Sequence, residues 1–304
     1  MTDLDPTRLK NLRKELGLTQ AQLAERLSTT QQTIARWEGG RAHPSIAALR
    51  DLAVIFGVSV DDILGTNPLG TKPASSHYHL LQNDSDGYWG NLGIRLLGSD
   101  TSRWYPLSAA NTERVYEGIG ERRWLSLATL NNRVLLINQP NIKALSLLPE
   151  EADAPEGDWD VAYPEVEGVP LEIYRALADV AELPDADLQE NYSPALIETC
   201  RDFLTNMNID EENAYGFVFF THVHFTDGTS QSGHIEAKDA VQLFLEAEED
   251  MPATPILLRF AEKGIDMLVP EEAVAFIDMP LIDVIDAMKK LDAAKAAQTG
   301  ASKG

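Results

Sequence analysis

Residues 18–38 read Leu-Thr-Gln-Ala-Gln-Leu-Ala-Glu-Arg-Leu-Ser-Thr-Thr-Gln-Gln-Thr-Ile-Ala-Arg-Trp-Glu, and this stretch decides the fold of the N-terminal part of the chain. Its pattern predicts two short helices separated by a tight turn at Ser28 and Thr29. Thr19 and Thr30 are the predicted N-caps, because each hydroxyl residue stands just before a run with helical apolar spacing. We therefore expect a positioning helix followed by a second helix.

The second helix separates polar from apolar side chains. Gln31, Gln32 and Arg36 fall on one face, while Ile34 and Trp37 fall on the face expected to enter a core. A side-chain amide can bond bidentately to the N6/N7 edge of adenine, and a guanidinium to the O6/N7 edge of guanine. We call these three polar residues the reading row and predict that they read bases in a DNA major groove. The alternative is an ordinary solvated helix face.

Further helices are predicted on both sides of this pair. A first helix runs from Pro6 to Leu16, a fourth from Pro44 to Gly57, and a short fifth over residues 58–64. Together they predict an all-α, five-helix domain over residues 1–65.

This region closely resembles the Cro/repressor (XRE-type) class of helix-turn-helix transcriptional regulators, and lambdoid phage repressors in particular, over residues 7–65. The resemblance rests on Leu-Thr-Gln-Ala-Gln-Leu-Ala, Thr-Thr-Gln-Gln-Thr-Ile, Trp-Glu-Gly-Gly, Pro44 and Val-Ser-Val. It implies that Gln20 contacts a DNA phosphate and that Gln31 and Gln32 contact adjacent bases. Ser28 stands where the class usually has glycine, which predicts a more strained turn.

Four further residues bear on the predicted DNA contacts. Arg36 within the reading row suggests a guanine at one operator position. Thr30, Arg41 and His43 are further candidates for phosphate contacts, although Arg41 and His43 are equally compatible with a solvated loop.

Charge is unevenly distributed along the chain. Its 304 residues contain 25 basic and 48 acidic side chains, but residues 1–72 contain nine basic and eight acidic ones. The remaining residues are therefore strongly acidic and would repel DNA. We expect DNA to be touched through the N-terminal domain alone, with the acidic body as a candidate site for a protein partner or a small-molecule effector.

Composition predicts a multidomain α+β chain, with a flexible Gly/Pro/Ser tether after the first domain and an acidic, proline-bearing break over 149–168. The predicted boundaries are the helix-turn-helix domain at 1–65, a linker at 66–87, a first β-rich module at 88–150, an acidic linker with helices at 151–212, a second β-rich module at 213–288 and a disordered tail at 289–304. Helices are expected over 171–180 and 195–207.

The two β-rich modules look like copies of one ββαβββ unit. Residues 125–149 and 256–280 align without a gap, placing Val134 with Ile265, Leu145 with Phe276 and Pro149 with Pro280. The pattern predicts an internal repeat that can pair within one chain or with another. Two unrelated β-rich segments of similar composition are the alternative.

Three histidines form the strongest metal candidate in the body. His222 and His224 share a face of one strand, and His234 on the partner strand can join them. The segment Gly-Phe-Val-Phe-Phe-Thr-His-Val-His resembles the first metal motif of cupins, but its glutamate and the second motif are missing. We therefore favour a solvated hairpin face for these histidines and predict no metal.

No catalytic constellation is found in the sequence. It lacks the Gly-Asp-Ser-Met-like site of self-cleaving repressors, a phosphate-binding glycine loop and paired zinc-ligand cysteines. We predict that the chain is not an enzyme and that it uses no cofactor. The single cysteine, Cys200, suits a reducing cytoplasm and is expected to be a buried apolar residue. No membrane-spanning segment or signal peptide is predicted, so the expected location is the cytoplasm.

These observations predict a sequence-specific regulator of transcription, acting on double-stranded operator DNA as a dimeric repressor through a body for self-association or sensing. Two alternatives stay open. One is an antitoxin-like or adaptor protein that autoregulates its operon, and the other is a metal- or ligand-dependent sensor with a cupin-like site.

Overall fold

The computed structural model describes residues 5–64, 88–158, 160–161, 169–250, 255–260 and 264–301, and its elements fall into two compact units. The first unit combines the N-terminal helices with residues 170–215. The second contains both β-rich modules. The predicted linker at 66–87 lies outside the described residues.

Five short helices form the N-terminal part of the first unit. They are α1 (Pro6–Glu15), α2 (Gln20–Arg26), α3 (Gln31–Glu38), α4 (Ile46–Phe56) and α5 (Val60–Leu64). Their core contains Leu9, Leu12, Leu23, Ala24, Ile34, Trp37, Leu49, Leu52, Ala53, Phe56 and Ile63. The five-helix prediction is confirmed.

Local capping chemistry sets the ends of these helices. Thr19 and Gln22 form a capping box at the start of α2, and the Thr30 hydroxyl accepts the backbone N–H of Thr33 at 3.2 Å. The fourth helix begins later than expected, at Ile46 rather than Pro44. Its N-cap is Ser45, whose hydroxyl accepts the N–H of Ala48 at 3.2 Å, so the proline lies outside the helix.

Three later helices pack against the five N-terminal helices α1–α5, which we call the head. They are α7 (Leu171–Glu182), α8 (Asp185–Asn191) and α9 (Pro194–Asn206), and both α7 and α8 contact α4. The Ser193 hydroxyl donates to Asp51 Oδ1 of α4 at 2.7 Å, and the Arg50 guanidinium lies 4.1 Å from the centre of the Tyr192 ring. The residues predicted as an acidic linker with helices at 151–212 are thus largely part of the head unit.

In its described residues the second unit contains eleven strands and the helices α6 (Ala109–Gly118), α11 (Ala237–Glu248) and α12 (Leu281–Ala301). The helix α10 (Glu211–Phe219) leads into it. The strands are β1 (Tyr88–Leu96), β2 (Ser102–Ser108), β3 (Trp124–Ala128), β4 (Arg133–Asn138), β5 (Ile142–Pro149), β6 (Asp160–Val161), β7 (Phe220–Phe225), β8 (Ser230–His234), β9 (Ile256–Phe260), β10 (Ile265–Val269) and β11 (Val274–Pro280). Each module therefore has the element order ββαβββ.

The modules predicted at 88–150 and 213–288 share one sheet, so they pair with each other within the chain. A five-stranded sheet has the order β3-β4-β11-β7-β8, which places the hairpin of the first module beside strands of the second. The other strands form a four-stranded sheet in the order β5-β1-β2-β6 and a separate β9-β10 hairpin. Pairing across the modules joins them into one unit.

One predicted segment differs from the structure. The tail predicted to be disordered over 289–304 continues α12 to Ala301. The tail is rich in alanine and lysine, both strong helix formers, which explains the helix.

A buried ion pair lies where the modules meet. Arg133 of β4 approaches Asp278 of β11 at 3.5 Å, with the two side chains 1% and 2% exposed. The Tyr105 hydroxyl donates to Asp278 at 3.0 Å, and Arg133 Nη1 donates to the Phe220 carbonyl at 2.7 Å. Such groups are costly to bury unless they are paired, so this network favours the observed strand pairing.

Candidate nucleic-acid interface

The reading row lies on the solvent face of α3. Gln31, Gln32 and Arg36 are exposed, whereas Ile34 and Trp37 of the same helix are buried in the head core. Gln32 and Arg36 are four residues apart, so they are neighbours on one helix face. The helix presents amide and guanidinium groups together while its apolar side anchors it.

A buried ion pair fixes the C-terminal end of α3 against α1. Arg13 Nε donates to Glu38 Oε1 at 2.5 Å and Arg13 Nη2 donates to Oε2 at 3.1 Å. The two side chains are only 9% and 3% exposed. A bidentate contact of this kind restrains both distance and orientation, so it sets how α3 projects from the head.

The environment of Glu38 favours its charged form. Burial opposes ionisation, but hydrogen bonds from Arg13 and Gln20 and the nearby charges of Arg13 and Lys10 hold the pKa of the Glu38 carboxyl below its usual value. Arg13 Nη1 also donates to the Leu18 carbonyl at 2.6 Å. The buried charges of Arg13 and Glu38 are therefore paired with each other, and both side chains make further hydrogen bonds within the head.

The predicted phosphate contacts are in different situations. Gln20 Nε2 donates to Glu38 Oε2 at 2.9 Å, which uses one of its two amide hydrogens. The Thr30 side chain caps α3, and its hydroxyl lies 2.9 Å from that of Thr33. Arg41 and His43 are exposed after the end of α3. All four side chains belong to segments that border α3.

The turn between α2 and α3 carries the expected strain. Ser28 has a φ of +49°, in the left-handed region that glycine adopts most easily. The turn is held by backbone bonds from Ser28 N to Glu25 O at 3.1 Å and from Thr29 N to Ala24 O at 2.9 Å.

Sequence reasoning missed Arg13 and Glu38. The signal for their pairing was a lone glutamate directly after the buried Trp37, facing the basic end of α1. The sequence does not show that the two side chains meet, because they are 25 positions apart.

The histidines do not form a metal site. His224 is buried and stacks on Phe276 with ring centres 4.0 Å apart, so the expectation of a solvated face is wrong for this residue. Burial, followed by the charges of Arg103 and His222, lowers the pKa of His224 to about 2. His234 pairs across the hairpin with Phe220, while His222 pairs with Ser232. Within the described ranges, no group of three His, Cys, Asp or Glu side chains is arranged to hold a metal ion.

Cys200 is buried in the first unit, as expected. Its thiol lies 4.0 Å from the Ile173 carbonyl, and burial raises its pKa to about 12. A thiol in this environment is a packing group rather than a nucleophile.

Comparison with known proteins supports the head as a family domain. A helix-turn-helix family model, HTH_3, matches residues 9–63. A protein from Methanothermobacter thermautotrophicus, described as an uncharacterised HTH-type transcriptional regulator, is 42% identical over 67 residues, which is 22% of this chain and 97% of that protein.

The chain belongs to this family of HTH-type transcriptional regulators. It is also 36% identical over 87 residues to the HTH-type transcriptional activator BcrR of Enterococcus faecalis, covering 29% of this chain and 43% of that protein. The immunity repressor protein of Bacillus phage phi105 is 39% identical over 62 residues, which is 20% of this chain and 43% of that protein. The chain thus spans under half the length of these two relatives.

The chain also aligns with the crystal structure of an HTH_3 family transcriptional regulator from Vibrio cholerae. The alignment has 17% sequence identity and a TM-score of 0.21, and it covers 35% of this chain and 79% of the Vibrio cholerae chain. Across the residues that the structure describes, no helix combines the length and apolarity needed to cross a bilayer. The family assignment rests on residues 9–63, which form the helix-turn-helix domain.

Proposed function

We propose that this regulator is a cytoplasmic, sequence-specific repressor that binds operator DNA as a dimer and reads bases with Gln31, Gln32 and Arg36. The observation that carries the proposal is the exposure of these three side chains on α3, opposite the buried Ile34 and Trp37. Amide and guanidinium groups on an exposed helix face match the adenine and guanine edges of a major groove.

The groups around α3 supply the contacts that set its register on DNA. Gln20, Thr30, Arg41 and His43 flank the reading helix, and contacts from such flanking side chains to phosphates position a protein without selecting sequence. Gln20 serves two purposes in this scheme, because its bond to Glu38 orients the amide whose remaining hydrogen faces a phosphate.

The acidic remainder of the chain acts through self-association or sensing. The acidic charge of this part repels DNA, so DNA is contacted through the head alone. A single head of this size offers only a small contact area. Two heads on half-sites about 34 Å apart provide the affinity that one head lacks. A body that joins two chains therefore controls operator occupancy.

The two ββαβββ modules are copies of one unit in this proposal. Their elements follow the same order, and the alignment of 125–149 with 256–280 places β4 on β10 and β5 on β11. The closing strand of each module pairs antiparallel with its first strand, β5 with β1 and β11 with β7. Strand pairing thus supports the repeat in addition to apolar pattern.

The test is footprinting of the full-length chain and its Gln32→Ala variant on a genomic fragment selected by the wild-type protein. Losing a bidentate base contact costs about 1–3 kcal/mol, or roughly 5- to 150-fold in discrimination. Gln189→Ala, the same change at an exposed position of α8, is the control. Unchanged sequence preference in Gln32→Ala would refute the reading role, provided that the fold is intact.

A further inference from the structure

The two modules are joined by one strand pairing, which we call the module seam. Strand β4 of the first module runs antiparallel to β11 of the second, with Ile137 opposite Phe276 and Val134 opposite Met279. Every residue of both strands is buried. The hairpin of one module is therefore a buried part of the other module's sheet.

The repeat assigns an equivalent to each strand of the module seam. Aligning residue 125 with 256 makes β10 the equivalent of β4, and β5 the equivalent of β11. Partner strands agree with this assignment, because β3 pairs with β4 as β9 pairs with β10. If β10 met β5 as β4 meets β11, Leu268 would lie opposite Leu145 and Ile265 opposite Leu148.

These equivalent strands are not paired with each other in one chain. Among the described strands, β5 is an edge of its sheet with β1 as its partner, and β10 pairs with β9. Ile265 and Leu268 on β10 are 53% and 64% exposed. Residues 144–148 of β5 are all partly exposed. Both members of the second pairing are therefore apolar edges without the cover that the module seam provides.

We propose that β10 of one copy of this chain pairs antiparallel with β5 of a second copy, reproducing the module seam between chains. The proposal rests on the dimer of the proposed function and deepens it by assigning its surface. The occupant is a second copy because this chain itself carries the complementary hairpin, already seated in the equivalent place on the other module.

The register gives this pairing an apolar content. Leu148 meets Ile265 on one face of the extended sheet, and Leu145 meets Leu268 on the other. Cross-strand pairs of this kind stabilise sheets, and the backbone groups of both edges gain partners. Leu147 lies opposite Asp266, whose carboxylate is 4.0 Å from Arg259 Nε and so retains an ion-pair partner.

Reciprocal exchange closes the assembly. Each chain offers one β10 edge and one β5 edge, so two chains related by a two-fold axis satisfy both edges and leave neither open. The net charge of −23 opposes association at low salt. Salt screens this repulsion, so the dimer should persist or strengthen as salt is raised.

The first test measures the mass of the full-length chain without DNA, by light scattering and sedimentation over a range of concentrations. Ile265→Lys should weaken association by about tenfold or more, since it removes a buried apolar contact and places a charge in the seam. Ile119→Lys is the matched control, because Ile119 is 52% exposed and lies outside both strands. A single-chain mass for the wild type, or equal association of the two variants, overturns the proposal.

The second test fixes the register and does not depend on how well Ile265→Lys folds. Leu145→Cys with Leu268→Cys and Leu148→Cys with Ile265→Cys each place thiols opposite one another, and neighbouring antiparallel sites differ in spacing. On mild oxidation, at least one of these two double variants should form a disulfide-linked dimer. The double variant Leu145→Cys with Ile265→Cys is the control and should form none, because these two residues are not opposite each other in the proposed register. Failure of both matched pairs, or a cross-link within one chain, contradicts the proposed pairing.

These measurements contain no DNA, so they separate the two proposals. A Gln32→Ala chain that associates normally but loses operator preference supports both. A wild-type monomer that still discriminates operator sequence overturns the seam and leaves the reading row intact.

Discussion

Glu38→Gln isolates the role of the buried ion pair that positions α3. The substitution keeps the size of the side chain but removes the charge that accepts two hydrogen bonds from Arg13 and one from Gln20. Arg13 is left as a buried cation, with the Leu18 carbonyl as its other hydrogen-bond acceptor. The head should therefore lose stability while its apolar core stays unchanged.

The expected loss follows from burial. With the side chains 9% and 3% exposed, this is a buried pair, and breaking such a pair by neutralising one partner costs about 3–5 kcal/mol. The glutamine oxygen still accepts one bond from Arg13, so we expect the lower end, about 3 kcal/mol.

Hydrogen exchange of peptides covering α1 and α3, compared between wild type and variant, measures this loss within the head. Glu25→Gln is the control, because Glu25 is exposed on α2. Equal exchange in the two variants, or a loss of under about 1 kcal/mol for Glu38→Gln, would refute a positioning role for the pair.

Three further outcomes are expected. Ser28→Gly should stabilise the head by about 0.5–1 kcal/mol in urea unfolding, since relief of left-handed strain exceeds the entropy cost of glycine; a lower midpoint would contradict this. Because the pKa of Glu38 is lowered in the folded chain, its stabilising effect is complete above the unfolded value of about 4.3 and is lost as pH falls through the folded value, so the difference between wild type and Glu38→Gln should shrink below about pH 4. Tyr192→Ala should increase exchange in α4, because a buried ring that contacts Arg50 is removed, and unchanged protection of α4 would show that α7–α9 do not support the head.

The head was predictable because its boundaries are set by local chemistry. Thr19, Thr30 and Gly57 each act within one turn of their own helix, so their effect is readable from neighbouring residues. The exposed reading row follows from helical spacing alone. What local spacing does not give is the orientation of α3, which depends on the pairing of Arg13 with Glu38.

Long-range pairing was beyond the reach of sequence pattern. Asp51 and Ser193 meet although 142 positions separate them, so nothing near either residue indicates that the later helices join the head. The strand β4 did carry a usable signal, because Val134 to Ile137 is apolar at successive positions and such runs belong to strands buried on both faces. The sequence did not identify β11 as its partner.

His224 shows how burial overrides a plausible motif. The alternation around it predicted a polar outward face, but the strand is covered on that side and the ring stacks on Phe276. Burial of His224 depends on which strands pair with β7, and one of them, β11, is distant from it in sequence.

Selection from random DNA duplexes by the full-length chain shows whether α3 reads sequence. Wild type should enrich one motif with two half-sites, and Arg36→Ala should relax preference at one guanine per half-site while retaining the other positions. Enrichment of the wild-type motif by both Arg36→Ala and Gln32→Ala, with both chains folded, would show that these side chains do not read bases.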